Sequence, residues 1–298
     1  MNSRLSNEVI FTWWNTSIAP SGRSRSSDQD EKYASDVIEF LSKVQGADFI
    51  ALGEISESCF EYLKDNCKLE GYSFHTGVSH IGRSKFDTCY LVRKSKISIS
   101  KISNIVRSRG KCTIKIAQKL DVVIEGCEVP FHIFVSHWSS RLWCPEECAD
   151  RHALGSHLRD PIDELIEEYQ IDPFVILIGD YNDEPFAQSL SHHVMASRDI
   201  DLVSERTHLF YNPFWKCLGY SLSSPKYAGS YFYKKGDVTQ WYTFDQVIFS
   251  HAFIKGNEWK LSNRFEQIVD VPGYLEKIKD RKSNFDHLPV SGKIERIV

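Results

Sequence analysis

The sequence predicts an α/β fold, on three observations. Short apolar runs bounded by glycine or polar residues recur along the chain and read as strands. Stretches with apolar residues at helical spacing lie between them. The 298 residues, 42% hydrophobic and 26% charged, have the composition of a chain that buries a sizeable core, with no sign of disorder or of a membrane span. Alternation alone leaves open whether the sheet is doubly wound or split in two. With no repeat of fixed length and no shift in composition long enough to make a linker, residues 1–298 are expected to form one domain.

Val9 to Trp14 is the first strand-like run, and it ends on Asn15 before a polar Ser, Arg and Gly loop. From Asp30 to Val44 the apolar positions Val37, Ile38, Leu41 and Val44 make one helical face, with Gly46 placed as a stop. Ala47 to Leu52 is a short strand followed by Gly53-Glu54. Glu57 to Leu69 predicts a second helix, with Phe60 and Leu63 on one side. Tyr72 to Gly77, Thr88 to Val92 and Ile97 to Ile105 are strand candidates.

Arg107, Arg109, Lys111, Thr113 and Lys115 alternate, so an extended segment would place them on one face, with Cys112, Ile114 and Ile116 on the other. Val129 to Ser136 is a strong strand ending on His137-Trp138-Ser139-Ser140-Arg141. Arg151 to Tyr169 has helical spacing at Leu154, Leu158, Ile162, Leu165 and Ile166, and Pro161 is expected to kink or split it. Val175 to Ile178 is apolar and largely β-branched, a strand buried on both faces, and it runs into Gly179-Asp180-Tyr181-Asn182-Asp183-Glu184. Irregular structure follows, until Trp241 to Ser250 and Phe285 to Val290 restore order.

Charge is informative in its distribution. The net charge of −4 does not advertise a nucleic-acid partner. Arg93 to Lys119, however, holds Arg93, Lys94, Lys96, Lys101, Arg107, Arg109, Lys111, Lys115 and Lys119 with no acid among them. Such a run is either a solvated sheet face or an electrostatic footprint for a phosphate backbone. Several of the eight cysteines, such as Cys89, Cys112 and Cys127, lie in strand-like segments, and the cysteines are expected to be buried free thiols of a cytoplasmic protein. The lone C-x3-C of Cys144 and Cys148 has no second pair to complete a zinc site. The N-terminus lacks the basic-then-apolar pattern of a secretory signal.

Polar residues that end or interrupt apolar strands are Asn15, Glu54, His137, Asp180, Asn182, Asp245, Asp286 and His287. Each alone has an ordinary structural explanation, as a loop acid or a hydrogen-bonded histidine. Asp245 is harder to explain that way, because a carboxylate within Phe244 to Phe249 is costly to desolvate unless a cation meets it, and His287 is the natural partner.

In order and local context, Asn15, Gly53-Glu54, Ser136-His137-Trp138-Ser139-Ser140-Arg141, Gly179-Asp180-Tyr181-Asn182, Phe244-Asp245-Gln246-Val247 and Phe285-Asp286-His287-Leu288-Pro289-Val290 resemble the endonuclease/exonuclease/phosphatase superfamily. The His-Trp-x-Ser-Arg string is closest to its bacterial nuclease-like members. The resemblance implies a four-layer α/β sandwich, two mainly antiparallel β-sheets packed face to face with helices outside. It also implies hydrolysis of a phosphoester with Mg2+, or Mn2+ as the alternative ion. Glu54, Asn15 and Asp286 would then hold the metal, and Asp180 would orient or deprotonate the attacking water. Asn182 would donate to the phosphate. His287, set by Asp245, would act as base or bind phosphate as imidazolium, and His137 would contact the phosphate or act as general acid. Arg141, with Arg107, Arg109 and Lys111, would bind substrate phosphates. Asp183 and Glu184 match no role and are expected to be solvated.

A Mg2+-dependent nuclease is therefore expected, with nucleic acid as its partner. A phosphatase or phosphodiesterase on a small molecule or lipid is the alternative, and a catalytically inactive scaffold the third. Trp143, Tyr211, Trp215 and Tyr231 are expected either to stack on bases or to pack long loops.

Overall fold

The computed structural model of the protein describes residues 8–297 apart from 21–26, 83, 111, 128, 130, 170–171, 221–225, 257, 263–264 and 266, with the backbone alone at 109, 112 and 169. In chain order the elements are β1 (Glu8–Asn15), α1 (Asp28–Lys43), β2 (Phe49–Gly53), α2 (Glu57–Asn66) and β3 (Tyr72–Thr76). The small hairpin β4 (Ser79–Ile81) and β5 (Ser84–Phe86) precedes β6 (Cys89–Arg93), β7 (Ile97–Arg109), β8 (Cys112–Ile124) and β9 (Phe131–His137). Then come α3 (Ala149–Tyr169), β10 (Phe174–Asp180), a π-helical turn (Ser189–His193), β11 (Ala196–Ser197), α4 (Ile200–Glu205) and β12 (Phe210–Tyr211). The chain closes with β13 (Tyr231–Phe232), β14 (Trp241–Tyr242), β15 (Asp245–Ser250), α5 (Ala252–Lys255), β16 (Trp259–Leu261), α6 (Tyr274–Lys279) and β17 (Val290–Arg296).

Two large sheets result, in the orders β16-β17-β1-β2-β6-β3 and β11-β12-β15-β10-β9-β8-β7. Most neighbours are antiparallel; β1–β2, β9–β10 and β11–β12 are parallel. The layers follow from strand parity. Phe174, Ile176 and Ile178 of β10 join the core between the sheets, with Phe131, Ile133 and Val135 of β9 and Val247 and Phe249 of β15. Val175 and Leu177 point the other way, under Leu154, Leu158, Ile162 and Leu165 of α3. Val37, Ile38 and Leu41 of α1 cover the first sheet from outside. The four-layer α/β sandwich is the arrangement observed.

Local chemistry fixes the helix ends. Ser27 accepts from the Asp30 amide to open α1, and Ser56 accepts from Cys59 to open α2. Helix α3 runs unbroken through Pro161. Its buried stripe, Leu154, Leu158, Ile162 and Leu165, continues past the proline, so packing on the sheet keeps both halves in one helix and the chain is not split there.

The basic run departs from expectation. It is not one extended segment with bases on one side and Cys112, Ile114 and Ile116 on the other. The chain reverses at Gly110 (φ +60°), and in the hairpin register Arg107 stands directly opposite Ile114 and Arg109 opposite Cys112. Directly opposed residues share a face, so the turn cancels the alternation read along the sequence. No helix among the described residues is long and apolar enough to cross a membrane.

Candidate active site

Strand register gathers the polar strand ends. In the parallel pair β1–β2, Asn15 lies opposite Gly53, which precedes Glu54. In the second sheet Asp180 lies opposite His137 on one side and Asp245 on the other. Parallel neighbours finish at the same edge, and the sandwich stacks these edges, so residues far apart in sequence converge. His287 enters from the segment before β17, tied down where the Phe232 amide donates to Asp286 O (2.8 Å) and the Leu288 amide to Ser230 O (2.6 Å).

Gly179 makes this edge possible. A Cβ there would sit 1.8 Å from the Ser136 carbonyl oxygen, and its φ is +149°, so only glycine lets β9 and β10 approach with Asp180 turned into the site. Ser17, Glu54 and Asn182 also have positive φ (55°, 56° and 51°), unusual for residues with side chains and clustered at this one edge.

Asp180 is at the centre. Its Oδ1 accepts from the Asn182 amide (2.8 Å) and its Oδ2 from Asn15 Nδ2 (3.2 Å). Two imidazoles flank that Oδ2, with His137 Nε2 and His287 Nε2 each 3.9 Å away. Each histidine is anchored through Nδ1 by its own buried acid. His287 Nδ1 meets Asp245 Oδ2 at 2.8 Å, and Trp13 Nε1 donates to Asp245 Oδ1 at 2.7 Å. His137 Nδ1 meets Asp87 Oδ1 at 3.1 Å, and Lys115 Nζ meets the same oxygen at 2.7 Å.

The titration behaviour follows from this pairing. Burial alone would lower His287, but Asp245 together with Asp180 and Asp286 brings it up to about 10. His137 is raised too, burial being outweighed by Asp87. Burial would raise Asp87, yet His137 and Lys115 hold it well below the usual carboxylate range. Burial, then the neighbouring Asp245, pushes Asp180 above its ordinary value.

Beside this group lies an end built of oxygen donors. Asn15 Nδ2 reaches Glu54 Oε1 at 3.5 Å, and Ser17 Oγ donates to Asp286 Oδ1 at 2.7 Å. Burial, with Asp286 and Asp87 adding to it against the pull of the histidines, pushes Glu54 up to about 7. A carboxylate in that condition is one that a cation would relieve, and an all-oxygen set of Glu54, Asp286 and Asn15 suits a hard divalent ion. Asp180, Asp245 and His287 also offer ligand atoms within 4.8 Å of one another. There, however, Asp245 already accepts from Trp13 and is hydrogen-bonded to His287, while Asp180 stands 3.9 Å from His287 Nε2, beyond hydrogen-bond distance.

The remaining candidates lie differently. Asn182 Nδ2 donates to Trp138 O (3.1 Å). Arg141 Nε donates to Asn182 O (3.0 Å), its NH1 to Glu146 (2.8 Å), and its guanidinium lies 4.7 Å from the Phe244 ring centre. Its contacts orient Asn182 from behind. Arg107 pairs with Asp160 of α3 at 3.2 Å, on the outer layer. The Arg109 side chain and Lys111 fall outside the described residues.

Asp183 and Glu184 are buried (0% and 8% exposed), contrary to the solvated expectation. Arg151 stands beside Asp183 at 3.5 Å and Ser189 donates to it, while Glu184 accepts from the Thr243 amide at 3.0 Å, so both acids brace the loop under the site. Burial pushes Glu184 up to about 7.

Sequence reasoning missed Asp87, Lys115 as its partner, and Ser17. Asp87 borders the apolar run Cys89–Arg93 just as Asp245 borders its own strand, and that was the signal available. Of the loop aromatics, Tyr231 packs on His287 (ring centres 4.5 Å apart), Tyr211 is buried, Trp215 lies under Arg198, and Trp143 is 87% exposed.

A family model described as endonuclease/exonuclease/phosphatase family matches residues 18–287. The human Nocturnin catalytic domain, solved with a bound sulfate anion, has a similar structure, with a TM-score of 0.62 at 15% identity over 98% of this chain and 96% of that one. An endonuclease/exonuclease/phosphatase family protein from Bacteroides thetaiotaomicron gives 0.61 at 15% identity over 98% of each chain. Truncated TDP2 from Caenorhabditis elegans gives 0.56 at 18% identity over 97% of each. At these identities the likeness is one of fold. No curated protein matches the sequence.

Proposed function

The chain belongs to the endonuclease/exonuclease/phosphatase family, and from that premise we propose that it is a divalent-metal-dependent phosphodiesterase that cleaves nucleic acid. The observation that carries the reading is Asp180 between two imidazoles, each held by a separate buried acid. A phosphate is the group such an arrangement suits: cationic His137 and His287 bind its oxygens while Asp180 positions a water and takes its proton. With His287 raised to about 10, imidazolium is its form near neutrality, which favours phosphate binding over the role of base.

Glu54, Asp286 and Asn15 would hold Mg2+, or Mn2+, which when bound offsets charge on the phosphoryl and departing oxygens. Asn15 and the Asn182 amide fix the Asp180 carboxylate so that one oxygen faces the reaction. Asn182, held by Arg141, would complete the phosphate cradle.

Nucleic acid is favoured by the exposed Arg107 at the β7–β8 hairpin. Its pair with Asp160 lies in solvent, where such pairs are weak, so a phosphate would displace Asp160 readily. A second reading, hydrolysis of a small phosphoester, has its own support. Arg93 and Lys96 are engaged by Asp48, Lys115 by Asp87 and Lys119 by Asp121, so much of the basic run serves internal pairing.

The test is a panel of plasmid, single-stranded DNA, RNA and small phosphate mono- and diesters in Mg2+, with Glu54→Gln as control. Polymer cleavage lost in Glu54→Gln and weakened in Arg107→Ala supports the nuclease. Turnover of small esters alone transfers the site to the second reading, and inactivity on the whole panel overturns both.

A further inference from the structure

At the rim of the site the turn Ser139 to Cys148 carries Arg141 and the exposed pair Leu142 and Trp143, at 89% and 87% exposure. Its base is rigid: buried Arg151 donates to Ser139 O (2.9 Å), Cys144 O (2.5 Å) and Tyr181 O (3.2 Å). Between Cys144 and Cys148 the backbone turns back through Glu147, whose φ is +59°. That reversal brings the two sulfurs to 3.4 Å. Cys144 is buried at 6% exposure, whereas Cys148 is partly open to solvent at the start of α3. Cys59, Cys67, Cys89 and Cys127 are buried.

We propose that Cys144 and Cys148 form a thiol–disulfide switch in which the partly exposed Cys148 attacks a small disulfide and buried Cys144 resolves it, closing the turn that presents Arg141 and Trp143. The step balances. The Cys148 thiolate displaces one thiolate from the small disulfide, giving a mixed disulfide, and the displaced sulfur takes up the proton that Cys148 gave up. The Cys144 thiolate then attacks Cys148 Sγ and releases the second thiolate, which takes up the proton that Cys144 gave up, leaving the Cys144–Cys148 disulfide. The protein loses two hydrogens and the small disulfide is reduced to two thiols.

Closure draws the sulfurs from 3.4 Å to the bonded distance of about 2.05 Å, a movement the five-residue turn absorbs locally because Arg151 fixes the Cys144 carbonyl. Order of attack follows from access: an external disulfide reaches Cys148, and burial, which pushes the Cys144 thiol up to about 11, adds to its disadvantage as the first attacker.

The experiment incubates the folded wild-type chain with oxidised glutathione, followed by peptide mapping and by hydrogen exchange of the 139–148 segment. Expected are a Cys144–Cys148 crosslink, reversed by dithiothreitol, and slower exchange across the turn. Cys144→Ser is expected to retain glutathione on Cys148, and Cys148→Ser to leave Cys144 unmodified. No crosslink in the wild type, adducts in the reverse order, or exchange unchanged by oxidation overturns the proposal. The wild-type arm needs no variant to fold, and none of the readouts depends on phosphoesterase activity.

Discussion

The two histidines beside Asp180 differ in their supports, and the difference is testable at single residues. Asp245 is shared by His287 and Trp13, whereas Asp87 is shared by His137 and Lys115. Asp87→Asn keeps the shape but removes the charge that raises His137, leaving Lys115 and His137 facing a neutral amide. Turnover is expected to fall on the order of tenfold to a hundredfold, with the His137 pKa lowered. NMR titration of the His137 ring checks it, and an unmoved pKa would refute the pairing. Glu184 offers a stability test. Its folded pKa is raised from 4.5 to about 7, so the native state holds the extra proton between those values. Its contribution is greatest below pH 4.5 and is lost as pH rises through about 7. Glu184→Gln, which keeps an acceptor for the Thr243 amide, is expected to be more stable than wild type in mildly alkaline urea melts and no different in acid.

Among the elements, the parallel pair β9–β10 does most to place the chemistry, since its register sets Asp180 against His137. Gly179→Ala puts a methyl into the Ser136 carbonyl and must part the strands. A loss on the order of 3 kcal/mol or more is expected from denaturant melts, with activity lost even in whatever folds. The β7–β8 hairpin shows the opposite relation of sequence to element. A regular alternation of bases was present in the sequence, but the turn at Gly110 redistributed it, sending Arg107 to Asp160 and Lys115 inward to Asp87. Helix α3 likewise keeps Pro161 because its apolar stripe is clamped to a sheet, a condition that propensity along the chain does not express.

For the whole molecule, the site is a seam between two sheets, so an ion bound there stabilises the native fold by mass action. Mg2+ at a hundredfold excess over its dissociation constant is expected to add about 2.7 kcal/mol in denaturant melts, and Glu54→Gln to abolish the gain. A wild-type chain indifferent to Mg2+ would remove Glu54, Asp286 and Asn15 as a metal site. By itself the sequence determined the alternating strands and helices, the double-faced burial of Val175 to Ile178, and the polar strand ends from Asn15 to His287, because periodicity and the cost of burying charge are local properties. The six motifs in order also carried the four-layer sandwich. Only tertiary structure decided that Asp87 and Lys115 support His137, that Ser17 holds Asp286, that Arg141 braces Asn182, and that Asp183 and Glu184 are buried struts. Each of those depends on which strand edges meet across the sandwich and where a turn reverses the chain, and such long-range pairing leaves no period in the sequence.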